Sequence, residues 1–224
     1  MGLGLGQVMG QASGSGSWNI VTLKYKINSH WSLFSEGQIR SLRFYDQFHY
    51  YEYKAGFNYK LQDNVILSLG MGNYVTYQEG GDFVTPKNND EFRLWPMVTI
   101  LDPIGRIVVE HRYRAEQRFT INGYKRRYRY RLGILIPISR EKVASKTLYA
   151  VVNNEIFFTD RSPYFERNRF LISLGYKFTS VFSATMGYLK QFDYKINDEI
   201  GKGFIQIGVQ FDFNRKKKSD GDEQ

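Results

Sequence analysis

The sequence predicts one all-β domain, an antiparallel up-and-down transmembrane β-barrel of about 10–12 strands. Three observations carry this. Apolar and polar residues alternate with period two from Trp18 to Phe213, the pattern of strands with two unlike faces. Aromatic residues reach 17%, with 17 Tyr and 17 Phe, and these residues favour strands and membrane interfaces. No stretch approaches about eighteen consecutive apolar residues, so a membrane could be crossed only by strands.

The first run, over 18–27, sets Val21, Leu23, Tyr25 and Ile27 against Thr22, Lys24 and Lys26. After a turn at Asn28-Ser29, the second sets Trp31, Leu33 and Ile39 against Glu36, Gln38 and Arg40. The third alternates Tyr51, Tyr53, Ala55, Phe57 and Tyr59 with Glu52, Lys54, Gly56 and Asn58. The tight turn Gln62-Asp63-Asn64 leads to Val65, Leu67, Leu69 and Met71, facing away from Ser68, Gly70, Gly72 and Thr76. A long polar loop is expected over 78–90, with Gly80-Gly81 and Pro86 inside it. The fifth run pairs Phe92, Leu94, Val98 and Ile100 with Arg93, Trp95 and Thr99. Pro96 weakens that run, because proline donates nothing to a ladder. Asp102-Pro103-Ile104-Gly105 is a strong turn signal.

The sixth and seventh runs are the most informative. Ile107, Val109, Tyr113 and Ala115 alternate with Glu110, Arg112, Arg114, Glu116 and Arg118. Tyr128, Tyr130, Leu132, Ile134 and Ile136 alternate with Arg127, Arg129, Arg131 and Gly133. The eighth sets Leu148, Ala150, Val152 and Ile156 against Val151, Asn153 and Glu155, and the ninth sets Phe170 to Phe178 against Arg169, Ser173, Gly175 and Lys177. The tenth carries Phe182, Ala184, Met186 and Tyr188, and the last carries Ile205, Ile207, Val209, Phe211 and Phe213. That is about eleven strands. Single-chain bacterial barrels have an even number, so ten or twelve are expected. Turns are expected to be short after the first, third, fifth and ninth strands and longer after the second, fourth and eighth, the asymmetry of an outer-membrane barrel.

Alternation alone leaves open which face is inside. A soluble barrel binding an apolar ligand hides its apolar face; a membrane barrel turns that face outward. Size favours the second, since about eleven strands around an apolar interior leave a wide dry void. Aromatic placement agrees: Tyr25, Trp31, Tyr51, Tyr59, Tyr113, Tyr128, Tyr176 and Tyr188 are expected toward strand ends on the apolar face, as interface girdles.

The charged face is then the lumen. Its expected network comprises Arg93, Glu110, Arg112, Arg114, Glu116, Arg118, Arg127, Arg129, Arg131, Glu155 and Arg169. Arginine pairs with carboxylates through two donors and stacks on rings, so ion-pair packing is the first expectation. An electropositive path for small anions is the second. The formal charge of +9 fits either.

Other chemistry finds little support. Cys is absent, which excludes disulfides and thiolate metal sites, and no spacing suggests a metal or other cofactor. The three histidines fall at a turn (His30), near a loop (His49) and on the apolar face (His111). A lipid-modifying barrel enzyme would need Ser or Asn beside His111; no Ser alternates with it on its own strand, so no enzyme is expected. The basic run 215–218 is followed by Asp220, Asp222 and Glu223, which reads as a solvated tail over 214–224 and not as a nucleic-acid site. Residues 1–17 read as a leader: either the back half of a secretory signal peptide cut near Ala12, or a flexible Gly/Ser lead-in.

The run His111-Arg112-Tyr113-Arg114-Ala115-Glu116-Gln117-Arg118-Phe119 resembles a domain-of-unknown-function family of Gram-negative outer-membrane barrels. Arg127-Tyr128-Arg129-Tyr130-Arg131-Leu132, Ile136-Pro137, Asn154-Glu155-Ile156-Phe157 and Asn168-Arg169 extend the resemblance, as do Trp18 and the stretch from Lys26 through Asn28-Ser29-His30-Trp31-Ser32-Leu33. It implies a barrel over 18–213 in the outer membrane, and no agreed activity. The expectation is therefore a monomeric, porin-like or structural barrel whose partners are outer-membrane lipid and small anions in the lumen.

Overall fold

The computed structural model describes residues 15–194 and 201–215. The chain is all-β there, and its strands follow one another around a ring. They are β1 (Gly16–Lys26), β2 (Trp31–Arg43), β3 (Asp46–Gln62), β4 (Val65–Gln78), β5 (Val84–Ile104), β6 (Ile107–Thr120), β7 (Gly123–Pro137), β8 (Thr147–Thr159), β9 (Phe165–Lys177), β10 (Phe182–Asp193) and β11 (Lys202–Asn214). Each sequential pair is antiparallel. The ring closes between β1 and β11.

The described strands number eleven, which corrects the expectation of an even count. An odd up-and-down ring brings its first and last strands together in the same direction. β1 and β11 accordingly pair in parallel, from Gly16↔Phe204 to Lys26↔Asn214. The seam has one unbroken register along the whole of β1, so closure leaves no free edge. β1 takes in Gly16 and Ser17, which the sequence reading assigned to the leader; residues 1–14 and 216–224, with Ala12 and the acidic tail, lie outside the described residues.

The turns after β1, β3, β5 and β9 are short and those after β4 and β8 somewhat longer, as expected, but the turn after β2 is short and the connection after β7 is long, so the two ends do not separate by loop length. At the end bearing the β1–β2 turn the connections are 27–30, 63–64, 105–106, 138–146 and 178–181; at the other end they include 44–45, 79–83, 121–122 and 160–164. Short and longer connections occur at both. The polar stretch 84–90, expected as loop, is the start of β5 and pairs with the end of β4, through Val84↔Gln78, Lys87↔Tyr77 and Asn89↔Thr76. Backbone pairing continues wherever a partner strand extends, whether or not the side chains are apolar. The β2–β3 turn is shorter than expected for a related reason. Tyr45 and Gln47 adopt φ of 53° and 59°, a region where Gly or Asn is usual, so this turn carries no sequence signature. Gly105, at φ 59°, does provide one for the β5–β6 turn. Pro96 is accommodated within β5: it faces outward, pairs with Leu69 of β4, and the β5–β6 register is the same on either side of it.

The two faces differ in kind. Outward residues are apolar and exposed, among them Met71 at 52%, Ile172 at 53% and Leu174 at 55%. Most inward residues are polar or charged, among them the buried Glu116 at 1% and Arg114 at 7%. Outer aromatics gather at both ends. Trp31 packs on Phe57 and Tyr59 at one, and Phe83 packs on Phe48, Tyr51 and Tyr77 at the other. Tyr113 and Tyr188 fall mid-strand and not toward strand ends as expected. An apolar cluster of Trp18, Leu189 and Phe204, with Ile20 and Leu171 against it, lines the interior beside the seam.

Candidate functional site

The interior is built from strand alternation plus register. β6 turns Glu110, Arg112, Arg114, Glu116 and Arg118 inward, and β7 turns Arg127, Arg129 and Arg131 inward. Their register places Arg112 opposite Arg131 and Arg114 opposite Arg129. Like charges directly opposite each other destabilise a sheet unless a counter-charge lies between them. Two glutamates supply it. Glu155, from β8, accepts from Arg129 Nη2 at 2.8 Å and Arg112 Nη2 at 3.2 Å. Glu116 meets Arg129 at 2.7 Å, Arg114 at 2.9 Å, Arg127 at 3.5 Å and Arg93 at 3.7 Å. Four guanidinium groups therefore share one buried carboxylate. Glu110 pairs with Arg131.

The guanidinium planes rest on aromatic rings, which fill the space that ion pairs alone would leave open. Arg114 stacks 3.8 Å from the centre of Trp95, Arg93 3.6 Å from Tyr74, and Arg40 lies between Trp18 at 3.4 Å and Tyr50 at 4.0 Å. Phe157, on β8, serves Arg129 at 4.6 Å and Arg169 at 4.8 Å. Trp95 fits because Gly70, opposite it on β4, has no side chain; a Cβ there would run into the indole. The glycine is thus part of the arginine shelf.

The eleven residues expected from the sequence all point into the barrel, and the contacts above join all but two. Arg118 binds Glu91 at 3.0 Å. Arg169 lies opposite Glu155 in the β8–β9 register but makes no ion pair with it; its Nε donates to Gln191 Oε1 at 2.8 Å. The structure adds members that the sequence reading left out of this network. Arg40, Glu52 and Lys54 form a second ion-paired group, with Arg40–Glu52 at 3.1 Å and Lys54–Glu36 at 2.6 Å. Glu91 pairs with Arg93 as well as Arg118. Extending the alternation back two residues from Arg93 would have found it, had 78–90 not been read as loop. Glu166 was not legible. A bulge at Phe157/Phe158 breaks the β8–β9 register, so Glu166 and its neighbour Arg167 both reach the interior, Glu166 pairing with Arg127 and Arg167 with Asp193.

Chambers of about 780 Å³ and about 290 Å³ lie on either side of the network. The larger reaches the mouth at the β1–β2 turn, where Asn28, Ser29 and His30 line it. The smaller lies toward His49, Thr76 and Asn89. Trp18, Gln38, Lys54, Arg129 and Arg169 line both, so one layer of side chains separates them. The histidines do not join the network. His30 Nδ1 lies 3.0 Å from the Lys60 carbonyl oxygen at the turn. His111 is on the outer face, with Nδ1 2.8 Å from the Tyr130 hydroxyl and Nε2 3.6 Å from Asp102; Ile100 and Leu132 flank it in register. Among the described residues no group of three His, Asp or Glu side chains is placed to hold a metal ion.

The Arg/Glu-rich strands that distinguish this interior lie within a match to the model of a protein family of unknown function, DUF2490, over residues 15–201. The chain belongs to DUF2490. The match runs from the start of β1 to the β10–β11 connection, so this DUF2490 member carries the family's region across nearly the whole barrel. No match was found among curated proteins or solved structures.

Proposed function

We propose that this chain is a monomeric barrel of the Gram-negative outer membrane, with a charge-paired interior. The observation that carries this is the inversion of its faces: large apolar side chains cover the outside, while arginines and glutamates are buried within. In water such an outer surface would be an aggregation liability, whereas in a bilayer it is the required skin. Two outer aromatic clusters at opposite ends suit the two membrane interfaces. Ring closure leaves no edge that a second copy must cover.

The test is the substitution Leu174→Arg on the outer face of β9. In refolding into lipid vesicles it is expected to lose stability, by an amount that rises with its depth to roughly 2–4 kcal/mol at the bilayer midplane. The wild-type chain is expected to need detergent and to migrate differently on gels before and after boiling. A detergent-free soluble wild type, with Leu174→Arg unaltered in stability, would overturn the proposal.

A second reading, a small anion-preferring pore, is favoured by the balance of the lining. Lys24, Lys26 and Arg169 line the larger chamber without a carboxylate at ion-pair distance among the described residues. Reversal potentials in planar bilayers are expected to favour anions; cation preference or no conductance would reject the pore and leave the barrel proposal standing.

A further inference from the structure

The larger chamber has two unlike walls. On one side, inner residues of β1, β9 and β10 (Trp18, Ile20, Leu171 and Leu189) form an apolar surface backed by Phe204. Such a surface can receive the apolar part of a ligand, as the walls of small-molecule sites do. At its edge stands Arg169, two residues before Leu171 on the same inward face. Its guanidinium lies 4.8 Å from the ring centres of both Trp18 and Phe157. Its hydrogen-bond partner is the neutral amide of Gln191, and no carboxylate oxygen comes within ion-pair distance among the described residues.

Across the chamber, two donors are left over. The indole N–H of Trp95, a residue only 2% exposed, has no hydrogen-bond partner, and neither does Nε of Arg114 stacked on it. Buried donors without acceptors cost free energy, and such groups in a cavity wall mark places where an acceptor belongs. The chamber thus combines an apolar wall, a cation that no ion pair holds among the described residues although Glu155 lies opposite it in register, and a buried indole N–H without an acceptor.

We propose that this chamber binds a small amphipathic anion: an apolar or aromatic body bearing one carboxylate. The body lies on Trp18, Ile20, Leu171 and Leu189, and the carboxylate accepts from the planar donor fork of Arg169. A volume of about 780 Å³ is within the range of small-molecule sites. The inference rests on the barrel's interior and holds whether or not the barrel resides in a membrane.

The test uses the full chain in detergent micelles, equilibrium dialysis with naphthoate, and protein-free micelles as the blank. Saturable binding of one naphthoate per chain is expected, at least about tenfold tighter than that of the neutral isostere naphthamide. Arg169→Gln is expected to weaken naphthoate binding by about tenfold or more and to leave naphthamide binding unchanged. Equimolar sulfate, an anion without an apolar body, is expected not to displace naphthoate. Equal binding of the two isosteres, displacement by sulfate, or unchanged binding by a folded Arg169→Gln would each overturn the proposal. Should Arg169→Gln fail to give the far-ultraviolet spectrum of a folded β-protein, Leu171→Asp decides. It sets a carboxylate on the apolar wall, so that loss of naphthoate supports the site and unchanged affinity rejects it.

Discussion

The inner wall from β5 to β8 and the inner wall from β9 through the seam to β1 share the same alternation and the same apolar outer skin. They fill the barrel in different ways. The first is crowded with arginines that the register sets against one another, and it holds together because Glu116 and Glu155 stand among them. The second carries Leu171, Leu189, Phe204 and Trp18 side by side, with Ser173, Ser183 and Gly208 further along the same inner faces. Parallel ladders are slightly weaker per residue than antiparallel ones. The apolar cluster sits where that weakness falls: Trp18 of β1 meets Phe204 of β11 edge-on at 5.7 Å, across the parallel seam. The difference teaches that a charge-filled lumen and an apolar one are not alternatives for a whole barrel. Each wall is filled according to what its neighbouring strands supply.

Removing the shared counter-charge should break the first wall most severely. Glu116→Gln leaves four guanidinium groups without their common carboxylate and is expected to lose about 3–5 kcal/mol of stability, read as a lowered urea midpoint in vesicles. A loss under about 1 kcal/mol would show that the arginines are neutralised by other means. The second wall should respond to lost volume and not to charge. Leu189→Ala, at a site 4% exposed, is expected to lose about 2–3 kcal/mol, with no dependence on salt. An equal effect of salt on both variants would erase the distinction between the walls. The smallest effect belongs outside both. Asp90→Asn breaks the exposed Lys87–Asp90 pair, 2.7 Å apart, and is expected to change stability by less than about 0.5 kcal/mol.

Much of the charged wall was legible because each of its residues lies on a strand with unbroken alternation. The runs holding Arg112, Arg114 and Glu116, and Arg127, Arg129 and Arg131, needed only parity to be placed on one face. Glu91 was missed through a misjudged loop, and Glu166 through a bulge that alternation cannot represent. The second wall was less legible. Trp18, Leu171, Leu189 and Phe204 sit at inward positions of strands whose outward positions are also apolar, so composition does not distinguish the two sides. The stacking of Arg114 on Trp95 was equally hidden, since it depends on Gly70 of another strand leaving room.

By itself the sequence determined that the chain consists of two-faced strands, which residues share a face, and that one face is basic. Period two suffices for this, because successive side chains must leave a strand on opposite sides. The tertiary structure decided the rest: eleven strands and hence a parallel seam, which carboxylate serves which arginine, and the chambers on either side of that network. These depend on register and closure between strands distant in sequence. A local alternation cannot encode them, because it reads the same whatever strand lies beside it.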